Sequence, residues 1–123
     1  MKLIIAGGRD YKMDLADYMR LEAIHLQFGP ITEIVSGGAP VADAEGELWA
    51  ELSNIPVKKF PAEWKTHGRA AGPIRNELMA QYADAVALFP GGKGTASMHA
   101  AAKRARIVIY DFRNAKHSAI HRA

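Results

Sequence analysis

Three short apolar runs in this chain each end in glycine. Leu3 to Ala6 runs into Gly7-Gly8, Ile31 to Val35 into Ser36-Gly37-Gly38, and Ala85 to Phe89 into Pro90-Gly91-Gly92-Lys93-Gly94-Thr95. A short apolar run bounded by turn residues reads as a strand buried on both faces. A helical pattern follows each glycine loop. Strands that alternate with helices pair in parallel, because a parallel pair needs a long crossover. Right-handed crossovers then give an α/β, three-layer, doubly wound parallel sheet of about five strands, with expected order 3-2-1-4-5. All three glycine loops fall on one edge of that sheet, at the carboxyl ends of the strands. Glycine lets the backbone come close to a ligand, and the first amides of a helix lack intrahelical partners. The edge therefore suits an anion, most often a phosphate.

The elements between these loops follow from periodicity and punctuation. Asp14 is an N-cap candidate for a first helix with Tyr18, Leu21, Ile24 and Phe28 on its apolar face, stopped by Gly29-Pro30. A second helix places Val41, Ala44, Leu48 and Leu52 on one face and ends at Asn54; Asp43 and Glu45 favour its N-terminal dipole. Ile55 to Phe60 reads as the third strand. Ala62 to Gly72 has no period and reads as a long polar loop, a kind often used for function. Pro73 opens a helix with Ile74, Leu78 and Tyr82 as its buried stripe. The helix after Thr95 buries Met98, Ala101 and Ala105. Arg106 to Tyr110 is the fifth strand. Residues 1–111 form one domain, and 112–123 are a polar, basic tail, loosely held or forming one short helix.

Composition narrows the function classes. The 123 residues contain no cysteine, which excludes disulfides and thiolate metal sites and fits a reducing compartment. No apolar run is long enough to span a bilayer, and the apolar start is too short for a signal peptide. A cytoplasmic protein is expected, with no membrane partner, no metal and no cofactor. The net charge of +3 suits a phosphate-bearing small molecule and is weak for nucleic acid. His67 and His99 have no ligand spacing, and the pair His117 and His121 falls in a polar tail.

The linked motifs carry a resemblance. Pro90-Gly91-Gly92-Lys93-Gly94-Thr95, preceded by Arg75-Asn76-Glu77-Leu78-Met79, resembles the paired signatures of the SLOG superfamily. That superfamily includes the LOG phosphoribohydrolases and the DNA-processing protein DprA. Gly7-Gly8-Arg9-Asp10, Ser36-Gly37-Gly38-Ala39 with Asp43, Pro61-Ala62-Glu63-Trp64 and Ala71-Gly72-Pro73-Ile74-Arg75-Asn76 are similar to its small YspA- and YpsA-related subgroup. The resemblance runs to Asp111 and implies a Rossmann-like fold, a nucleotide-type ligand and a homo-oligomer. LOG enzymes carry a glutamate three residues after the motif threonine, and here that position is Met98; Ser97 is uncharged too. A cationic sugar intermediate needs a nearby carboxylate, so the loss moves weight from enzyme to binder.

Three functions fit these residues. The first is a nucleotide-binding protein that senses or sequesters its ligand. Gly91, Gly92, Lys93, Gly94 and Thr95 would hold the phosphate, Gly7, Gly8, Arg9, Ser36, Gly37 and Gly38 would line the walls, Arg75 would neutralise charge, and Trp64 or Arg69 would cover the base. Lys93 is equally an ordinary exposed lysine, and Thr95 equally a helix cap. The second is a LOG-type nucleotide 5′-monophosphate phosphoribohydrolase, with Arg75 and an acid from Asp10, Asp43 or Glu77 in catalysis. The third is single-stranded nucleic-acid binding along Lys58, Lys59, Lys65, Arg69, Lys103, Arg104 and Arg106.

Overall fold

The computed structural model describes residues 1–38 and 42–114, with the backbone alone for Ala42 and Asp43. Its elements run β1 (Lys2–Ala6), α1 (Leu15–Gln27), β2 (Glu33–Ser36), α2 (Ala42–Leu52), β3 (Val57–Lys59), α3 (Trp64–His67), a 3-10 turn (Gly68–Ala70), α4 (Ala71–Tyr82), β4 (Ala85–Leu88), α5 (Lys93–Ala105) and β5 (Val108–Asp111). The five strands form one parallel sheet in the order β3-β2-β1-β4-β5. The strand order reverses between β1 and β4, which pair from Leu3 with Ala85 to Ala6 with Leu88. This is the doubly wound, Rossmann-like arrangement, and its switch point is where an open α/β sheet leaves a crevice.

Side chains alternate across each strand and divide the core in two. Leu3, Ile5, Ile34, Ala85, Ala87 and Phe89 face α1 and α2; Ile4, Val35, Val86 and Leu88 face α4 and α5. Asp14 does cap α1, and Asp17 returns the bond to complete a capping box. Asn54 closes α2 with a positive φ of 58°, a conformation asparagine tolerates.

On α1 Leu21 and Ile24 are buried as expected, but α2 and α4 sit in different registers from those their largest apolar residues suggest. On α2 the sheet side is Gly46, Trp49 and Ala50, whereas Leu48 and Leu52 are 49% and 76% exposed. Gly46 explains the rotation, since a Cβ there would lie 2.8 Å from Ile5 Cδ1. Ala44 is exposed as well, and Val41 lies outside the described residues. On α4, Ile74 and Leu78 turn outward while Ala71, Asn76, Met79 and Ala80 are buried. Small residues let α4 and α5 lie close to the sheet and to each other. Met98 and Ala101 are buried on α5 as expected, joined by Ala102, with Ala105 partly buried. Phe28 is the exposed C-cap of α1.

The segment 62–72 is not an irregular loop. It forms α3 and the 3-10 turn, joined at Gly68, whose φ is +54°. Pro73 is the third residue of α4, still in the first turn, where its missing N–H costs nothing. The outer strands β3 and β5 are shorter or later than expected. Phe112 belongs to the core: it is buried and packs on Phe89 with ring centroids 5.6 Å apart. Residues 115–123 of the expected tail lie outside the described residues. Among the described residues, no helix is long and apolar enough to cross a membrane.

Candidate functional site

The loops after β1 and β4 meet backbone to backbone. The Gly8 N–H donates to Pro90 O at 2.9 Å. A Cβ on Gly8 would lie 2.9 Å from Gly91 Cα; one on Gly91 would lie 2.6 Å from Gly8 N and collide with Thr95 Oγ1. Only glycine permits this approach at both positions. Behind the first loop, Tyr11 donates to Asp17 Oδ2 at 2.6 Å, and Asp17 forms a buried ion pair with Arg20 at 2.6 Å. Burial, the hydrogen bond to Asp17 and its charge push the Tyr11 phenol above the usual tyrosine range.

Gly92 is the N-cap of α5, and no side chain caps that helix. Its first intrahelical bond runs from Ala96 N–H to Gly92 O at 3.1 Å, so the amides of Lys93, Gly94 and Thr95 stand ahead of the ladder. Gly92 and Gly94 differ from Gly8 and Gly91: a Cβ on either would meet nothing within 4 Å. They face an open cleft of about 370 Å³, walled also by Gly7, Arg9, Arg75 and Met98. Thr95 lies in the same wall. It is 4% exposed, and its hydroxyl has no hydrogen-bond partner among the described residues. It is therefore not the cap of α5. That hydroxyl packs against Gly91, in the space a Cβ there would take.

Two neighbouring residues of α4 tie the site together. Arg75 reaches the loop after β2, where its Nη1 donates to Gly37 O at 2.7 Å, while its Nε donates to Asn76 Oδ1 at 3.0 Å. A Cβ on Gly37 would lie 2.6 Å from that Nη1, so the glycine makes room for the guanidinium. Buried Asn76 donates to Ser97 Oγ at 3.1 Å and Gly94 O at 3.5 Å, fixing the first turn of α5. Ser36 points inward; it donates to Glu47 Oε2 at 2.7 Å and accepts from the Gly38 N–H at 3.2 Å. Gly38 has a φ of +79°, which suits glycine.

A second cleft of about 730 Å³ adjoins the first. It is walled by Lys59, Pro61, Trp64 and Gly38, and it shares Arg9, Gly37 and Arg75 with its neighbour. Trp64 is 60% exposed. Four cations, Arg9, Lys59, Arg75 and Lys93, line the two clefts, and no carboxylate does so among the described residues.

The remaining candidates lie elsewhere. Asp10 is exposed outside both walls, and Arg69 lies in the 3-10 turn, also outside them. Glu77 pairs with Arg104 between α4 and α5. The Asp43 side chain is outside the described residues. Lys103, Arg104 and Arg106 sit at the C-terminal end of α5, on the opposite edge of the sheet from Lys59, so the expected basic track is divided. Sequence reasoning passed over Asn76 as a site residue and placed Lys59 only in the nucleic-acid track. Asn76 was signalled by a polar residue beside the motif arginine, and Lys59 by its place at the end of a parallel strand.

Comparison with known proteins identifies the family. The profile of the YAcAr family, described as the YspA, cpYpsA-related SLOG family, matches residues 1–67. The Gene 61 protein of Mycobacterium phage D29 is 30% identical over 121 residues, covering 90% of this chain and 95% of that protein. No solved structure matches the chain.

Proposed function

Because the chain belongs to the YspA, cpYpsA-related SLOG family, we propose that its cleft binds a nucleotide by the phosphate, for sensing or sequestration. The observation that carries this is the start of α5. Three amides ahead of the helix ladder and two open glycines converge there, in walls that hold cations and no carboxylate among the described residues. The phosphate rests on Gly92 to Thr95. Arg75, steered by Gly37 and Asn76, supplies compensating charge. The ribose then lies toward Gly37, and the base reaches the flat face of Trp64 in the adjoining cleft.

Binding is favoured over hydrolysis by what lines the first cleft. Met98, buried and apolar, stands in the wall where the LOG glutamate would be. Glycosidic cleavage requires an acid or base within reach of the sugar. Of the candidate acids whose side chains are described, Asp10 and Glu77, neither is in the walls.

A thermal-shift series tests the reading. Nucleotides, cyclic nucleotides, ADP-ribose derivatives and ribose phosphates are titrated, and each stabilising compound is then assayed for breakdown. A ligand at one hundred times its Kd stabilises the native state by about 2.7 kcal/mol, so the melting temperature rises with concentration. The expected hit is recovered intact. Release of free base from the hit would replace binding with hydrolysis, and no stabilisation by any compound would remove the nucleotide reading.

A further inference from the structure

The two clefts adjoin and share Arg9, Gly37 and Arg75 in their walls. Positive charge is spread along both. Lys93 and the α5 amides stand at one end, Lys59 at the other, and Arg9 and Arg75 between them. Like charges brought together repel, and the repulsion is relieved when a ligand of opposite charge arrives.

One phosphate accounts for only part of that charge. Held at the start of α5, it is met by Lys93 and Arg75. Arg9 is exposed and has no ion pair among the described residues. Lys59 is 66% exposed and lies 3.4 Å from Glu47. Glu47 is only 22% exposed, so it meets the ammonium from the protein side and leaves its other face open. Glu47 is itself fixed by Ser36 at 2.7 Å, so the pair serves to hold the Lys59 ammonium at the mouth of the second cleft. Two cations thus remain where the base and ribose alone would bring no charge.

We propose that the second cleft is an additional anion subsite, and that the ligand is a nucleotide phosphorylated at two separated places. One phosphate lies at the start of α5 and the other between Arg9 and Lys59, with the ribose between them beside Arg75. This rests on the nucleotide reading above. The shared chemistry is a 5′-phosphate together with a 3′-phosphate or 3′-phosphodiester. A free nucleoside bisphosphate has it, and so does the 5′ end of a phosphorylated strand.

Calorimetric titration of the intact protein with three probes tests the proposal: AMP, adenosine 3′,5′-bisphosphate and the 5′-phosphorylated dinucleotide pApA. The bisphosphate is expected to bind at least about tenfold tighter than AMP, because the added phosphate gains charge-assisted contacts. Its affinity should also fall more steeply with salt than that of AMP. Lys59→Ala removes most of that advantage and costs AMP less than about threefold; Arg9→Ala lowers it too. Both side chains are exposed, and an unchanged melting temperature confirms that each variant is folded. If pApA gains as much as the bisphosphate, the subsite accepts a diester and a strand end is the source. If only the bisphosphate gains, the source is the free nucleotide. Equal affinity for AMP and the bisphosphate, or an equal loss for both in Lys59→Ala, overturns the second subsite and leaves the first standing. Silence of all three probes on the wild-type protein overturns this inference, and the nucleotide reading falls with it only if the wider panel above also leaves the protein unstabilised.

Discussion

Gly91 and Gly94 stand three residues apart in one motif, yet they do opposite things. At Gly91 a Cβ would collide with Thr95 Oγ1 and approach Gly8 N to 2.6 Å, so the absent side chain is filled by protein. At Gly94 a Cβ would meet nothing within 4 Å, so the absent side chain leaves space in the cleft. Gly8 and Gly37 belong with Gly91, the first against backbone and the second against the Arg75 guanidinium; Gly92 belongs with Gly94. A glycine-rich edge is thus two things at once. One set welds the loops after β1, β2 and β4 to their neighbours, and the other holds a space open on that weld.

The contrast breaks most readily at Gly91. Gly91→Ala should cost about 3 kcal/mol, because the neighbours of the new methyl are backbone and a buried side chain that cannot move aside. Urea unfolding should show a lower midpoint at unchanged slope. A cost below about 1 kcal/mol would mean that the two loops are not locked together. Asn76→Ala comes next. It removes a buried donor to Ser97 and Gly94 and leaves their oxygens without it, at about 2 kcal/mol. Gly94→Val should change stability by less than about 1 kcal/mol, since valine differs little from glycine in helix propensity at such a position. That variant should nonetheless bind nucleotide at least about tenfold more weakly, because the side chain occupies ligand space.

The smallest effect is expected at the β5 end of the same edge, away from the glycines. The hydrogen bond from Arg113 to Asp111 holds that carboxyl below the usual range, with the Arg113 charge beside it. A carboxyl lowered in the folded state adds stability that is full above its unfolded value of about 3.9 and disappears as pH falls through the lowered value. The pair is partly solvated, so Asp111→Asn should cost less than about 1 kcal/mol at neutral pH. Acid titration of stability should show the difference from wild type fading below about pH 4.

The centre of the sheet was legible from sequence because β1, β2 and β4 are buried on both faces. An unbroken apolar run leaves little choice of element, and the three glycine loops then fix which edge is special. The faces of α2 and α4 were not legible from apolar size, whereas Leu21 and Ile24 on α1 and Met98 and Ala101 on α5 are buried as expected. Leu48, Leu52, Ile74 and Leu78 mark convincing stripes, but the sheet takes Gly46, Ala50, Met79 and Ala80 instead. Close packing selects for small residues at the nearest approach, and a hydropathy pattern weights large ones. Most of the site's backbone was legible in the same way as the sheet. Which glycines pack and which stay open was not, because that depends on what lies opposite each in space. Ser36, whose hydroxyl turns inward to Glu47, was indistinguishable in sequence from a residue facing the ligand.

The most direct test of the account is a paired titration of wild-type protein and Gly94→Val with adenosine 3′,5′-bisphosphate, followed by melting temperature. The wild type should gain stability with each increment of ligand, and the folded variant should gain far less at every concentration. Equal gains in both proteins would place the ligand away from the start of α5 and contradict the account.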